Sequence, residues 1–410
     1  MANLQIFGRT FNNVSSISAY DTSNVKRSYI IPTGTVNITS NGTVDVSQYA
    51  SANVNVSSGI TPAKYNDVNF YDYDGTIVYS YSASEFANLS AMPENPSHDG
   101  LTAQGWNWTL ADAKEQVLAI GVIDIGQMYT TSDGKTRIHF TIPDNGRMTP
   151  QLQWSQTVSN GVTVDWGDGS STQVVSGTGN KSLTHTYASI GDYIITLNVT
   201  SGTAALGRES SAGAVLRGNM YASMIKHIET GNNITSLGYL YNTYGLETVT
   251  TPTTLTRGYF YNCYPLRTVI VPINATQYFL TRNCWSLTTI SFPKVHTTFS
   301  DNSLSSAGAL RRISLPPLTS IPASMFNANY SLIKIVVPKS VTSIAASAFY
   351  NCQNLGELHF KSATPPTVAN SNAFTNVPTD CKIYVPQGSL SAYTSATNYP
   401  SSSTYTYIEE

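Results

Sequence analysis

The stretch Ala348-Phe349-Tyr350-Asn351-Cys352-Gln353-Asn354-Leu355 decides the fold, because its pattern returns throughout the C-terminal half of the chain. The final leucine has equivalents at successive spacings of 20, 21, 23, 22 and 23 residues. A period of this length indicates a solenoid, in which each repeat buries its apolar face against the next one. The repeat leucines are Leu246, Leu266, Leu287, Leu310, Leu332 and Leu355.

Each repeat predicts one short strand and a returning turn. Apolar residues stand three residues after the leucine, mostly apolar residues stand five after it, and proline stands six after it in five of six repeats. Alternate strand residues point inward, and proline ends the strand pairing. A large apolar residue six before the leucine, replaced only by Thr281, fills the other side. Ile225 and Ile228, one period earlier, indicate a first degenerate turn.

Composition narrows the class of protein. The chain has 410 residues, 41% hydrophobic but only 11% charged, with 26 tyrosines and a net charge of −2. Nearly neutral charge excludes a basic surface for nucleic acid or an anionic membrane. The longest apolar stretch, Val117 to Ile125, is short and contains Asp124, so we expect no membrane insertion. Residues 1–9 contain no apolar secretory segment, so we expect synthesis in a cytosol.

We predict a mainly β, multidomain chain in which short alternating strands dominate. Its N-terminal strands are expected at Gly34–Thr39, Gly42–Val46 and Ala52–Val56. The predicted divisions are an N-terminal β docking segment at 1–60, a small α+β module at 61–147, an immunoglobulin-like β-sandwich at 148–203, a linker at 204–218, the leucine-rich-repeat β-solenoid at 219–379 and a C-terminal cap at 380–410.

Local signals define the α+β module further. An aromatic strand is expected from Val68 to Tyr81. Thr109 is placed to cap a helix over 110–120, which Gly121 ends. A Ser-Asp-Gly-Lys turn then predicts a hairpin between residues 127–129 and Thr136 to Ile142.

Three resemblances follow from these residues. The repeat resembles the BspA-type leucine-rich repeat over roughly 219–390, which implies surface adhesion and not catalysis. Residues 151–200 are similar to a PKD (polycystic kidney disease) domain, through Val164-Asp165-Trp166-Gly167-Asp168-Gly169-Ser170 and His185-Thr186-Tyr187. That resemblance implies an immunoglobulin-like spacer. The segments 32–56 and 70–108 are similar to modules of tail and virion proteins of phages that infect gut bacteria.

Several residues could carry chemistry, and each has a structural alternative. The segment Asp72-Tyr73-Asp74-Gly75-Thr76 matches the nucleophile motif of haloacid dehalogenase-type phosphatases. That chemistry requires a doubly wound α/β domain with a later lysine and an acidic metal pair. The module is too small for such a domain, so Lys114 and Asp124 are not expected to fill these roles. Asp165 and Asp168 either ligate Ca²⁺ or close an Asp-Gly turn, and we favour the turn. We expect no metal site, no cofactor and no catalytic residue. Carboxylates of a polysaccharide depolymerase pair in space and leave no sequence pattern.

The cysteines follow the repeat. Cys263, Cys284 and Cys352 all stand three residues before the repeat leucine. Because equivalent positions stack along a solenoid, we expect buried free thiols there.

The candidate ligand-binding residues lie two before the repeat leucine: Tyr244, Tyr264, Trp285 and Tyr330. Successive turns would place such rings about 4.8 Å apart, one strand spacing. An exposed aromatic ladder could stack on sugar rings, or its rings could simply pack on each other and stiffen the solenoid. The strand face itself reads Thr248, Thr268, Thr289, Arg312, Lys334 and Glu357.

These expectations describe a virion adhesion protein, such as a tail fibre, tail tip or baseplate component. It would be made in the host cytoplasm, released on lysis, attached to other virion proteins through its N-terminal segment, and bound to a host-surface glycan or protein. We expect a homo-oligomer, with a trimer suggested by the habit of fibres. The alternatives are a capsid head fibre or decoration protein, a bacterial cell-surface adhesin, and a phosphatase or polysaccharide depolymerase.

Overall fold

The computed structural model describes residues 2–6, 9–14, 16–20, 26–30, 34–38, 67–207, 214–238 and 240–410. Within it the chain divides into two compact units, Met1–Asn66 and Asp67–Glu410. The fold is mainly β, as the sequence predicts.

The first unit is built from short strands. β1 pairs antiparallel with β2 and parallel with β5, whereas β3 and β4 form a separate antiparallel pair. The strand expected at Gly34–Thr39 is present as β5, and the stretches expected at 42–46 and 52–56 lie outside the described residues. The strands are β1 (Ala2–Ile6), β2 (Arg9–Val14), β3 (Ser16–Tyr20), β4 (Lys26–Ile30) and β5 (Gly34–Ile38).

The second unit begins with a four-stranded sheet of order β7-β6-β9-β8, with helix α2 in the crossover to the parallel pair β6–β9. The single strand expected from Val68 to Tyr81 is wrong. It is a hairpin, because the chain reverses through the turn at 72–76. The elements are β6 (Val68–Tyr71), β7 (Ile77–Tyr81), α1 (Ala83–Ala87), β8 (Leu101–Trp106), α2 (Leu110–Ile120) and β9 (Ile123–Thr131).

Helix α2 begins and ends as the sequence predicts. The Thr109 hydroxyl accepts a hydrogen bond from the amide of Asp112, which satisfies one of the free donors of the first turn. Gly121 follows in the left-handed region, with a φ of +76°, where a residue without Cβ carries no steric cost. Ala113, Val117 and Ile120 bury one face of the helix.

A two-sheet β-sandwich follows, with boundaries that differ from the expected 148–203. Strand β10 pairs antiparallel with β15 of the sandwich, so the hairpin predicted between 127–129 and 136–142 is wrong. Residues 204–206, predicted as linker, form strand β16, which pairs with β11. The strands are β10 (Thr136–Ile142), β11 (Gln151–Gln156), β12 (Val162–Asp165), β13 (Gln173–Val174), β14 (Gly179–Thr184), β15 (Gly191–Val199) and β16 (Ala204–Leu206); Asn145–Arg147 form a 3-10 turn.

The solenoid has one strand directly after each repeat leucine and a second strand line behind it. Most neighbouring strands of each line pair in parallel and in register, with breaks after the second and fourth strands of the first line and after the third strand of the second line. After the short helix α3 (Asn219–Ala222), the first line contains β17 (Ile225–Glu229), β19 (Thr248–Val249), β21 (Thr268–Ile270), β23 (Thr289–Ser291), β24 (Arg312–Ile313), β26 (Lys334–Val337), β28 (Glu357–Phe360) and β30 (Lys382–Val385). The second line contains β18 (Ile234–Leu237), β20 (Arg257–Tyr259), β22 (Phe279–Leu280), β25 (Ser320–Ile321), β27 (Ser343–Ile344) and β29 (Thr367–Val368).

The repeat pattern correctly predicts which side chains form the solenoid core. The repeat leucines are buried in all repeats, as are the residues three and five positions after them and six positions before them. On the far side, Phe326, Phe349 and Phe374 stack with ring centroids 5.5 and 5.6 Å apart. The degenerate first turn is also confirmed, because Ile225 and Ile228 lie in β17 and are buried.

The sandwich and the solenoid share both of their sheets. β17 pairs antiparallel with β10 and parallel with β19, while β16 pairs antiparallel with β11 and parallel with β18. One continuous apolar core therefore runs from the sandwich into the solenoid. The sandwich covers the strand edges that the first repeat would otherwise leave unpaired.

The α+β module lies across the strand face of the early repeats. The Asn107 side-chain amide donates to the carbonyl of Val271 at 2.9 Å and to that of Ser291 at 3.2 Å. The Trp108 indole donates to Phe292 O at 2.8 Å, and Gln116 to Leu315 O at 2.7 Å. The module is thus fastened to successive solenoid turns by bonds to their backbone.

The C-terminal residues close the other end. β31 (Thr406–Glu409) adds in parallel to β30, beyond the short helix α4 (Leu390–Thr394). Tyr393 is fully buried, and its hydroxyl donates to Ser362 O at 2.7 Å. Tyr399 and Tyr405 likewise donate to Pro366 O and Val377 O. The tyrosines thus supply apolar surface for the last turn and also satisfy carbonyl groups there.

Candidate binding surface on the solenoid

The returning turn of each repeat sets the geometry of the candidate site. Asn242, Asn262 and Asn283, four before the repeat leucine, have φ values of 57°, 59° and 56°. Asparagine tolerates this left-handed region better than most residues. The Asn262 side chain donates to Asn242 Oδ1 at 2.7 Å, and Asn283 to Asn262 Oδ1 at 2.8 Å. This asparagine ladder keeps the flanking positions of successive turns aligned.

Tyr244, Tyr264 and Trp285 form a stacked row, which we call the aromatic ladder. Their ring centroids lie 5.1 Å apart for Tyr244–Tyr264 and 4.4 Å apart for Tyr264–Trp285, with interplanar angles of 26° and 14°. Both faces of Tyr264 are therefore covered by its neighbours. Ring-on-ring packing, the alternative given above, therefore holds for Tyr264, and flat ring faces are left only at the two ends of the row.

The ladder ends at Trp285. The next turn carries Gly308 at the equivalent position, so no further ring continues the row there. Trp285 is 57% exposed, whereas the other four tryptophans are 5% exposed or less. Tyr330, two turns further on, is 46% exposed, and no ring contact among the described residues joins it to the ladder. The structure therefore brings together three of the four predicted residues.

A second row of stacked side chains lies beside the aromatic ladder, and the sequence analysis did not predict it. Tyr241, Tyr261 and Arg282 stand five before the repeat leucine. The rings of Tyr241 and Tyr261 are 5.2 Å apart, and the Arg282 guanidinium lies 5.2 Å from the centre of the Tyr261 ring. The same alignment that reveals the ladder would have found this row, had the position five before the leucine been compared.

Burial and the nearby Tyr244 and Tyr261 hydroxyls raise the pKa of Tyr264 in the aromatic ladder.

The strand face of the early repeats is not free. Thr268 and Thr289 are buried beneath the α+β module, and Arg312 is ion-paired with Asp124. Only further along does this face carry an exposed ion pair, Lys334 with Glu357. Since the α+β module covers the face of the early repeats, the returning-turn side presents their accessible surface.

The acidic turn Asp72-Tyr73-Asp74-Gly75-Thr76 does not have the arrangement of a phosphatase nucleophile. Asp72 is 4% exposed, and its carboxylate contacts His98 Nε2 at 2.7 Å and accepts the Tyr73 amide at 2.8 Å. The remaining candidates are used elsewhere, because Lys114 donates to Leu89 O and Asp124 pairs with Arg312. These contacts hold a turn and an interface together, and they leave Asp72 inaccessible to a phosphate.

Asp165 and Asp168 are likewise engaged in their own turn. Asp165 accepts the amide of Gly167 at 2.9 Å, and Asp168 accepts that of Ser170 at 3.0 Å. The other oxygen of Asp168 lies 2.7 Å from His185 Nε2, and hydrogen bonds from Ser170 and His185 outweigh burial to lower the pKa of Asp168 to about 2. The hydrogen bonds of the hairpin-closing turn account for the presence of Asp165 and Asp168 without a calcium ion. Among the described residues, no group of three or more His, Cys, Asp or Glu side chains is arranged to hold a metal ion.

The predicted burial of the repeat cysteines is confirmed. Cys263, Cys284 and Cys352 are fully buried, and each thiol donates to a carbonyl of the preceding turn at 3.2 Å. Burial raises the pKa of the Cys352 thiol to about 12. Cys381 is also buried and free.

The fold and the candidate surface define a solenoid protein whose repeats display side chains on their turns. Residues 253–382 and 319–406 match the family model for the BspA type leucine rich repeat region, in six copies. The repeats are thus similar to the BspA-type leucine-rich repeat, and the match extends into the expected cap at 380–410.

The comparisons with individual proteins add little. A similar solved structure is a leucine rich cell surface protein from Faecalibacterium prausnitzii A2-165, at 17% identity and a TM-score of 0.24. The alignment covers 42% of this chain and 62% of that one, so this chain spans less than two thirds of its length. No curated protein matched the chain. No helix among the described residues is long and apolar enough to cross a membrane.

Proposed function

We propose that this chain is an adhesion protein that presents its solenoid to a cell surface and binds a polar ligand there, in particular a glycan. The observation that carries the proposal is the aromatic ladder, which ends in a tryptophan that is 57% exposed. The partly exposed rings of the ladder lie side by side with Trp285, and a continuous row of exposed aromatic surface is typical of an interaction site. Tyr244, Tyr264, Trp285 and the separate Tyr330 are the proposed binding residues, with Tyr264 acting by holding Trp285 in the stack and not through a free face of its own.

The architecture supports display on the turn side. The sandwich and the α+β module cover the N-terminal edge and the early strand face, so the rigid solenoid is held by its own chain on those two sides. Low charge also favours a neutral, hydroxyl-rich partner over nucleic acid. Weak binding at one site would be amplified by many copies on one particle.

The cellular setting of this adhesion is also part of the proposal. Residues 32–56 and 70–108 are similar to modules of phage tail and virion proteins, and this similarity supports a place on a virion. The N-terminal segment at 1–60 would then attach the chain to other virion proteins, in a homo-oligomer that we propose to be a trimer. Release would follow lysis of the host.

A binding experiment tests the adhesion. Particles or purified trimers with Tyr264→Ala and Trp285→Ala should adsorb to host cells about tenfold less well than the natural protein, because the ladder and its open face are both removed. Tyr278→Ala is the matched control, since Tyr278 is an exposed tyrosine outside the ladder. Equal adsorption of the double variant, with an unchanged melting temperature, would remove the ladder from the binding site.

A labelling experiment tests the location. Gold-labelled antibody against residues 219–410 should mark the tail tip or fibres of purified particles in electron micrographs. Label on the capsid would instead identify a head fibre or decoration protein. Label confined to the envelope of uninfected bacteria would identify a bacterial surface adhesin.

A further inference from the structure

A cavity of about 520 Å³ lies beside Trp285, where the aromatic ladder ends. This volume falls within the range of small-molecule sites, about 300–1,000 Å³. Two distant parts of the chain line it: Asp74, Gly75 and Thr76 of the α+β module, and Arg267, Trp285, Ser286, Thr288 and Ala309 of the solenoid.

The backbone of the acidic turn at 72–76 fixes its position against the solenoid. Gly75 has a φ of +91°, and a Cβ at this residue would stand 2.3 Å from the Thr268 hydroxyl. Only glycine allows the turn both this backbone conformation and this close approach. Asp74 Oδ1 accepts the Thr76 amide at 2.8 Å, which fixes the carboxylate while the side chain remains exposed.

The lining of the cavity combines a flat aromatic ring with one negatively charged, one positively charged and several neutral hydrogen-bonding groups. Trp285 is 57% exposed, Gly308 at the ladder position of the next turn adds no ring beside it, and Ala309 adds a small apolar wall. Around it stand one carboxylate, one guanidinium and three hydroxyls. The guanidinium of Arg267 forms no hydrogen bond or ion pair with any other described side chain. A ligand with one flat apolar face and a rim of hydroxyls matches this lining.

We infer that this cavity is a saccharide-binding site in which one hexose ring of an uncharged oligosaccharide stacks on the open face of Trp285. Asp74 accepts hydrogen bonds from the sugar hydroxyls, and Arg267 donates to hydroxyl or ring oxygens. One carboxylate and one guanidinium give the lining no net charge, which favours a neutral sugar. This inference rests on the proposed adhesion function. It assigns the contact between the protein and the glycan to this one cavity.

The experiment uses the full chain and an immobilised array of neutral and acidic oligosaccharides of two to six residues, followed by titration with the strongest binder. Because Trp285 is the single exposed tryptophan of the five, acrylamide quenching of fluorescence reports on it selectively. We expect a neutral oligosaccharide to bind and to protect Trp285 from acrylamide. Asp74→Asn and Arg267→Ala should each weaken this binding about tenfold or more, since a hydrogen bond to a charged group is lost.

The controls separate this site from the adhesion function. Tyr278→Ala should bind the oligosaccharide as the natural chain does, and Trp285→Phe should retain part of the binding that Trp285→Ala loses. The site is overturned if Asp74→Asn and Arg267→Ala bind normally, if the bound sugar leaves quenching unchanged, if only acidic sugars bind, or if no sugar on the array binds. In each of these cases, host-cell adsorption that still depends on Trp285 would leave the adhesion proposal standing. Adsorption that does not depend on Trp285 would overturn adhesion through the ladder itself.

Discussion

Arg312 of the solenoid donates a hydrogen bond to Asp124 of the α+β module, with 2.5 Å between Nη2 and Oδ1. The two residues are 188 positions apart in the sequence, and Asp124 is 4% exposed. Ser291 Oγ donates to the Asp124 carbonyl at 2.6 Å from the neighbouring turn. This pair therefore fixes the module across the strand face and leaves the turns of the same repeats as the accessible surface.

Breaking this ion pair from one side should destabilise the protein. In Arg312→Met the Asp124 carboxylate stays buried without its partner, and we expect a loss of about 3–5 kcal/mol in the free energy of unfolding. Chemical denaturation of the natural chain and the variant measures it.

The double variant Arg312→Met with Asp124→Leu is the control. Because no buried charge remains, it should recover most of the stability that the single variant loses. A single variant as stable as the natural chain would show that the pair is not a fastening of the module.

Asn107 should be the most sensitive neutral residue of the same interface. Its amide nitrogen bonds to Val271 O, Ser291 O and Ser291 Oγ, and its oxygen accepts the Gly126 amide at 2.8 Å. Asn107→Ala leaves these buried groups unpaired, so we expect a loss of about 2–4 kcal/mol. Hydrogen exchange should show faster exchange at 123–131 and at 268–271. Asn88→Ala, in an exposed helix cap, is the matched control, and equal protection in both variants would contradict the assignment.

His296 predicts the pH dependence of the solenoid. Burial lowers its pKa to about 4, although Nδ1 lies 3.1 Å from the Ala275 carbonyl, and its ring stacks on Phe292. The unfolded chain titrates this histidine near pH 6.5, so between about pH 6.5 and 4 only the unfolded state binds the proton. The free energy of unfolding should therefore fall as the pH is lowered through this window, by about 3 kcal/mol in total.

His296→Phe, which retains an aromatic ring, should remove this part of the pH dependence. Urea denaturation at intervals of half a pH unit compares the two chains. Parallel curves for the natural chain and the variant over this window would contradict a neutral buried histidine.

The four cysteines should be unreactive in the folded protein. Burial raises the pKa of Cys352 and of Cys381 to about 12, so almost no thiolate forms at neutral pH, and reagents have no access. Ellman's reagent should modify none of them in buffer and all four in denaturant. Fast reaction of any thiol in the native protein would show that the corresponding turn opens.

The repeat residues predicted the solenoid, its inward positions and the aromatic ladder. Because each turn packs only on its neighbours, the environment of Leu266 or Cys284 is repeated one period away and can be read from spacing alone. Helix α2 was predicted for a similar reason, since its cap Thr109 and its terminator Gly121 act within one helical turn.

The tertiary structure decided which of these surfaces are accessible. Thr268 and Thr289 look like exposed strand positions, yet the α+β module, which lies far earlier in the sequence, covers them. The pairing of β10 with β15 and β17, and the meeting of Asp74 with Trp285, likewise depend on long-range packing for which local sequence carries no signal. The period of the sequence predicts how each repeat packs against the neighbouring repeats. Contacts between unlike modules depend instead on complementary surfaces that form only in the folded chain.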